Sequence, residues 1–153
     1  MLTIAIDPGA SGGIACSHDG SAPVVMKMPD TPKDIYDLLN GLCHAAGVIP
    51  DRLPCRAIVE KVGMHRQGNN ASASCKFARH CGHIEMALLA LGIPFEEVTP
   101  QKWMKSLGVM PKEKADRKNH IKDLMQRKYP AIKITLWNAD ALGILTYQLE
   151  KQK

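Results

Sequence analysis

The sequence lacks the features that would direct it to a membrane, to secretion or to zinc. No apolar run approaches the roughly 20 residues that cross a bilayer. The opening, MLTIAIDPGA, has no basic region and meets an aspartate at once, so we expect no signal peptide. Its five cysteines are scattered without a CxxC pair, which excludes the usual zinc pattern and favours reduced, mostly buried thiols. These absences predict a cytoplasmic protein.

Length and charge narrow the class of protein further. The 153 residues suit one domain over 1–153, and no repeat or low-complexity segment interrupts them. The net charge of +5 favours a polyanionic partner, although many basic proteins bind no nucleic acid. Half of the 20 Lys and Arg residues lie within 102–133, which predicts either one strongly positive face or an ordinary solvated helix surface.

Hydrophobic periodicity and turn residues predict strands followed by alternating strands and helices. Strands over 2–7, 14–17 and 24–28 form an antiparallel meander. Thr31 and Pro32 then begin a helix, and a strand over 56–60, a polar loop over 61–70, a helix over 71–91 and a strand over 93–98 follow. The remaining helices are a short one after Thr99 and Pro100, one over 116–129 and a last one capped by Asn138, with 132–136 either a short strand or an extended lead-in. This order predicts an α/β fold with helices around a mixed five-stranded sheet.

Three acids stand where an active site needs them. Asp7 ends the first strand, Glu60 ends the fourth, and Asp140 opens the last helix. If the two strands are neighbours, their carboxyl ends meet in one crevice. Clustered carboxylates repel each other unless cations lie between them, and oxygen ligands suit Mg²⁺ or Mn²⁺. Taken singly, each acid has an ordinary structural role; together they predict a site where two ions would hydrolyse a phosphodiester.

Four ordered segments cover nearly the whole chain. They are IAIDPGASGGIA (4–15), IVEKVGM (58–64), GHIEMALLALGIPFEEVTPQKWMKSLG (82–108) and ADALGILTY (139–147). The first, second and last resemble the acidic motifs of the RuvC family of Holliday-junction resolvases, and the third is similar to phage-type members. The resemblance implies an RNase H-like fold, a homodimer, two Mg²⁺ or Mn²⁺ ions with no small-molecule cofactor, and paired nicks across four-way or other branched DNA. A phage-encoded member would work in the cytoplasm of its host.

The same resemblance assigns roles to individual residues. Asp7, Glu60 and Asp140 are expected to be catalytic and to bind the metal ions, and Lys114 is expected beside the scissile phosphate. A resolvase holds phosphate backbones without strict base readout, so basic residues should dominate its DNA contacts. The DNA-binding residues that we predict are Arg66, Lys76, Arg79, Lys112, Lys114, Arg117 and Lys118.

Two departures from the family pattern stand out. The family usually has a fourth carboxylate three or four residues before the aspartate matched by Asp140, where this chain has Trp137 and Leu136. The candidates to complete the site are Asn138, which we interpret first as a helix cap, and His120, Asp116 and Glu113. Cellular members also resemble each other in an aromatic after the second acid that stacks on a junction base, where this chain has Gly63. Met64 could act as an apolar wedge instead, or be an ordinary buried or exposed methionine.

Three other functions remain open from the sequence. The chain could be an RNase H-like nuclease for RNA or for branched DNA in general, with the same acids. It could also be a non-catalytic junction-binding protein, as the missing acid would allow. An actin-like interpretation of DPGASGG would make it an ATPase, but that fold needs a second phosphate loop and a second domain. For the homodimer, the first helix and the long helix are the candidate interfaces, unless their apolar stripes face the core.

Overall fold

The computed structural model describes residues 1–45, 55–63 and 70–151. Over these residues the chain alternates strands and helices as the sequence predicts. The strands are β1 (Leu2–Asp7), β2 (Gly13–His18), β3 (Val24–Lys27), β4 (Cys55–Glu60) and β5 (Phe95–Val98). The helices are α1 (Pro32–Ala45), α2 (Ala71–Ala90), α3 (Pro100–Ser106), α4 (Lys114–Lys128) and α5 (Leu136–Lys151).

The strands form one mixed sheet in the order β3-β2-β1-β4-β5. The first three strands make the predicted antiparallel meander, and β4 runs parallel to both β1 and β5. The first and fourth strands are therefore neighbours, which confirms the condition on which the acidic crevice depends. The last registered pair between them is Ile6 with Val59, so Asp7 and Glu60 lie side by side at the carboxyl ends.

Helices cover both faces of the sheet. Alternate residues of β1 and β2 point to opposite faces, which places Ile4, Ile6 and Ile14 in a cluster with residues of α1 and α2. The other face carries the small side chains of Ala5 and Ala15, which pack with residues of α3, α4 and α5. By the same alternation, Asp7 and Glu60 belong to this second face.

Helix α1 begins as predicted, whereas two later helices begin earlier than the pattern indicated. Thr31 accepts a hydrogen bond from the Asp34 backbone N–H at 3.1 Å, as an N-cap should. Helix α4 begins at Lys114 rather than residue 116, and α5 begins at Leu136, directly after a lead-in that contains no strand. Asn138 is therefore not the N-cap; it lies inside the first turn, and that prediction was wrong.

Strand β5 is shorter than predicted because Pro94 has no N–H for a sheet ladder, although its carbonyl accepts a hydrogen bond from Ala57.

The segment 64–69, with Met64 and Arg66, lies outside the described residues. All five cysteines are free, and burial raises the pKa of Cys55 to about 12. None of the helices within the described ranges is long and apolar enough to cross a membrane.

Candidate active site

A tight turn follows Asp7 and shapes one wall of the site. The Gly12 N–H donates to the Gly9 carbonyl at 2.9 Å, and Gly9 has a φ of +117°, which only glycine adopts readily. A Cβ at Gly12 would overlap the Asp7 carbonyl oxygen. The glycines of DPGASGG therefore fold the chain back on itself directly beside the carboxylate of Asp7, and this explains the motif without a bound nucleotide.

Glu60 is almost buried, with 9% of its surface exposed. Its Oε1 accepts a hydrogen bond from the indole Nε1–H of Trp103 at 2.8 Å. The next residue, Lys61, donates its backbone N–H to Val98 at 2.8 Å, which ties the end of β4 to the end of β5 just before α3. The carboxylate is thus held at the sheet edge by a helix that begins two residues after β5.

Asp140 approaches the strand ends from α5. A Cβ at Gly13 would lie 3.0 Å from the Trp137 carbonyl oxygen, so the absence of a side chain there lets the start of α5 lie against β2. Burial raises the pKa of the half-buried Asp140 carboxyl, while the positive charges of Lys118 and Arg117 lower it. Burial is the larger effect, so the folded protein retains the Asp140 proton to a higher pH than an exposed aspartate would.

The three acids line a single cleft of about 810 Å³. Lys114, Arg117 and Lys118 line the same cleft from α4. The structure therefore brings together all four residues predicted to be catalytic and three of those predicted to bind DNA. The walls also include Ser11 and Phe77, whose contribution the sequence did not indicate.

The remaining predicted DNA-binding residues lie elsewhere. Lys76 and Arg79 are exposed on α2 and Lys112 is exposed in the loop before α4, and these three do not line the cleft. Arg66 and the proposed wedge Met64 lie outside the described ranges. Arg117 also braces the loop before α4, because its Nη1 donates to the carbonyls of Pro111 at 3.4 Å and Lys112 at 3.1 Å.

No described residue supplies the fourth carboxylate. The Asn138 side chain is buried, and both of its amide atoms already form hydrogen bonds. Its Oδ1 accepts from the Thr135 backbone N–H at 2.8 Å, and its Nδ2 donates to the Lys133 carbonyl at 3.1 Å. None of the other candidates lines the cleft: Glu113, Asp116 and His120. Leu136, at one of the two positions where the family has its acid, does line the cleft and is half exposed.

The oxygen donors of the three acids fit a hard divalent cation by their chemistry. Among the residues that the structure describes, no three His, Cys, Asp or Glu side chains lie close enough together to hold a metal ion. Asp7, Glu60 and Asp140 offer only oxygen, which suits Mg²⁺ or Mn²⁺ and disfavours zinc.

A second cavity, of about 680 Å³, lies around the start of β1 and has different chemistry. Its carboxylates are already in ion pairs, Asp19 with the amino group of Met1 and Glu150 with Lys128. Asp7, Glu60 and Asp140 do not line it.

Trp103, on the short helix α3, was not identified from the sequence as a residue of the site. A signal was present, because a buried tryptophan usually finds an acceptor for its N–H. The acceptor could not be identified from sequence, since Trp103 and Glu60 are 43 positions apart.

Comparison with known proteins places the fold. No family model and no curated protein matches the chain. Among solved structures, Thermus thermophilus RuvC is similar at 18% identity with a TM-score of 0.63, covering 99% of this chain and 97% of that one. Thermus thermophilus RuvC in complex with Holliday junction substrate is similar at 17% identity with a TM-score of 0.63, covering 99% and 96% respectively. The chain therefore has the RuvC-like, RNase H-like fold that its motifs predicted.

Proposed function

We propose that this protein is a metal-dependent endonuclease that cuts four-way and other branched DNA. The observation that carries the proposal is one cleft lined by three acids, Asp7, Glu60 and Asp140, and three basic residues, Lys114, Arg117 and Lys118. Acids alone would repel a nucleic acid, and basic residues alone would only bind it. Both together suit metal-dependent hydrolysis of a phosphodiester.

In this mechanism Asp7, Glu60 and Asp140 would hold Mg²⁺ or Mn²⁺, and Lys114, Arg117 and Lys118 would bind the phosphate. The bound ions would activate a water molecule and stabilise the negative charge that develops as the phosphorus–oxygen bond breaks. Lys114 is the first residue of α4, so its ammonium group and the helix N-terminus both favour an anion there. Lys118 and Arg117 favour the ionised form of Asp140 that binding a cation requires.

The substrate shape is inferred from the fold relative. One similar structure is RuvC with a Holliday junction substrate, which supports branched DNA as the substrate here. Broader action on RNA or on other branched DNA would use the same cleft, since nothing in the three acids distinguishes the substrates.

Paired cuts across a junction need two active sites, and a homodimer supplies them. Helix α2 carries two exposed apolar side chains, Met86 at 61% and Leu89 at 64% exposure, on a helix whose other side packs against the core. We place the dimer interface there. A light-scattering mass near 16.8 kDa at working concentration would contradict the dimer, and Met86→Asp should convert a dimer to that mass.

The decisive experiment compares substrates, metals and variants. The protein is incubated with a mobile four-way junction, a linear duplex and an RNA hairpin, each with Mg²⁺, Mn²⁺ or EDTA. Asp7→Asn is tested beside Asp123→Asn, a matched control on the exposed surface of α4. Symmetric nicks on the junction alone, lost with EDTA and with Asp7→Asn but kept with Asp123→Asn, are the expected result.

The missing fourth carboxylate favours one alternative, a junction-binding protein without nuclease activity. That alternative predicts tight junction binding and no cleavage with either metal. Equal cutting of all three substrates would instead contradict the preference for junctions while leaving the nuclease activity intact.

A further inference from the structure

Trp103 links the candidate metal site to the packing between α3 and α5. Its side chain is fully buried, at 0% exposure, and its Nε1–H donates to Glu60 Oε1 at 2.8 Å. A hydrogen bond to a buried carboxylate both stabilises its charge and fixes its orientation. We propose that Trp103 is a positioning residue that orients Glu60 for the divalent cation, an inference that rests on the proposed metal-dependent function.

The indole is itself held in place by α5. Gly143 faces it so closely that a Cβ there would lie 2.6 Å from Trp103 Cζ3, nearer than real Cβ atoms approach. Gly143 is one turn beyond Asp140 on the same helix. Helix α5 therefore both carries one acid and braces the side chain that orients another, so the two carboxylates are linked through packing.

This arrangement offers a partial substitute for the fourth carboxylate. The family pattern places its fourth carboxylate where this chain has Leu136 and Trp137. A ligand that is already oriented loses less conformational freedom when a cation binds. Groups that hydrogen-bond to metal ligands typically change metal affinity by about 10–100-fold when removed.

The proposal predicts a defect in metal affinity rather than in folding. Trp103→Phe keeps an aromatic ring at this position but removes the N–H together with part of the indole ring system. Calorimetric titration of the DNA-free protein with Mg²⁺ should show affinity about tenfold weaker or more, and cleavage should return towards the wild-type rate at saturating Mg²⁺. The matched control is Tyr129→Phe, which removes the hydrogen bond between the hydroxyl groups of Tyr129 and Thr146, at 2.9 Å and away from the cleft, and should leave Mg²⁺ affinity unaltered.

Fluorescence gives a readout independent of cleavage. In the Trp137→Phe protein, Trp103 is the only tryptophan, and its emission should shift on Mg²⁺ addition because its hydrogen-bond acceptor becomes a metal ligand. Adding Glu60→Gln should abolish that shift. Gly143→Ala tests the contact between α5 and Trp103. The added methyl group should displace the indole, which should alter the Trp103 emission before any metal is added and weaken Mg²⁺ binding.

The outcomes separate this inference from the function on which it rests. If the wild-type protein binds Mg²⁺ and cuts DNA while Trp103→Phe has the same affinity, the positioning role is wrong and the proposed function stands. If Trp103→Phe is poorly folded, an unshifted Trp103 emission in the Trp137→Phe protein at saturating Mg²⁺ would overturn the role. Absence of Mg²⁺ binding by the wild-type protein would overturn both.

Discussion

The two faces of the sheet are packed in different ways. Against α1 and α2, the sheet presents large aliphatic side chains, among them Ile4, Ile6 and Ile14. Towards α5, β1 and β2 present small residues, namely Ala5, Gly13 and Ala15. Every buried polar or charged side chain in the described part of the chain lies on that second face or on α5 itself: Thr3, Ser17, Glu60, Asn138, Thr146 and Gln148.

The difference indicates that one face of the sheet mainly stabilises the fold, whereas the other face positions the candidate site. Large aliphatic side chains bury the most apolar surface, so the α1 and α2 face supplies ordinary hydrophobic stabilisation. Small residues let α5 approach the strands closely, which carries Asp140 to the ends of β1 and β4. The cost is a face with buried polar groups whose hydrogen bonds must be satisfied.

The largest expected effect is at Asp140. Asp140→Asn should reduce DNA cleavage by about a thousandfold or more, because metal ions contribute several kcal/mol to transition-state stabilisation and 1.36 kcal/mol is a factor of ten. The same variant should be more stable to urea at pH 7 in EDTA. A cleavage rate close to that of the wild-type protein would show that Asp140 is not a catalytic residue.

The stability effect at Asp140 follows from the direction of its pKa shift. Burial raises the pKa above the ordinary 3.8, so the folded state holds the proton more tightly than the unfolded chain. The resulting stabilisation is fully present below pH 3.8 and is lost as the pH rises through the raised value. Asp140→Asn should therefore raise stability at pH 7, and this gain should shrink as the pH falls towards 4.

The second prediction concerns the opposite face. Leu39 is fully buried on α1, and Leu39→Ala should lower the free energy of unfolding by about 2–5 kcal/mol. Because the cavity forms on the face without acids, Mg²⁺ affinity of the folded protein should remain unchanged. Urea unfolding and calorimetric titration test both statements. A large loss of Mg²⁺ affinity in the folded variant would break the proposed division between the faces.

Much of the fold was predictable because local patterns determine it. Alternation predicted β1 and turn glycines predicted the meander, and the parallel neighbour β4 then brought Asp7 and Glu60 together. Helix starts were less predictable where side-chain chemistry is ambiguous. Asn138 has the residue type of an N-cap, but its amide instead reaches back to the backbone of Thr135 and Lys133 from inside the helix.

The acids of the candidate site were predictable from the sequence, whereas the contacts that hold them were predictable only in part. The motifs indicated Asp7 and Glu60, which end β1 and β4, and Asp140, which was expected to open the last helix but is the fifth residue of α5. The indole of Trp103 on Glu60 is a long-range contact with no local pattern, so the sequence could not indicate it. The assignments of Met64 and Arg66 stay predictions, since both lie outside the described residues.

A smaller effect is expected at Asn138, which joins the lead-in to α5. Asn138→Ala removes both amide hydrogen bonds and leaves partly buried backbone groups of Thr135 and Lys133 without these partners. The free energy of unfolding should fall by about 1–3 kcal/mol, and Mg²⁺ affinity should fall too, because Asp140 is carried by this turn. Asn40→Ala, at a half-buried position of α1, should leave Mg²⁺ affinity unchanged. Equal Mg²⁺ affinity in both variants would show that the start of α5 does not influence metal binding at the site.

The smallest expected effect is on the salt dependence of DNA affinity, compared between basic residues on the two faces of the sheet. Lys118 lines the cleft, whereas Lys33 on α1 forms an exposed ion pair with Asp37. Each phosphate contact contributes close to one unit to the slope of log affinity against log salt, so Lys118→Ala should reduce that slope for junction DNA by about 1. Lys33→Ala should leave the slope unaltered, and Lys76→Ala reports whether α2 tracks an arm of the junction. Equal losses for Lys118→Ala and Lys33→Ala, measured with a catalytically inactive Asp7→Asn protein, would mean that DNA is held by diffuse surface charge and not by the α5 side of the sheet.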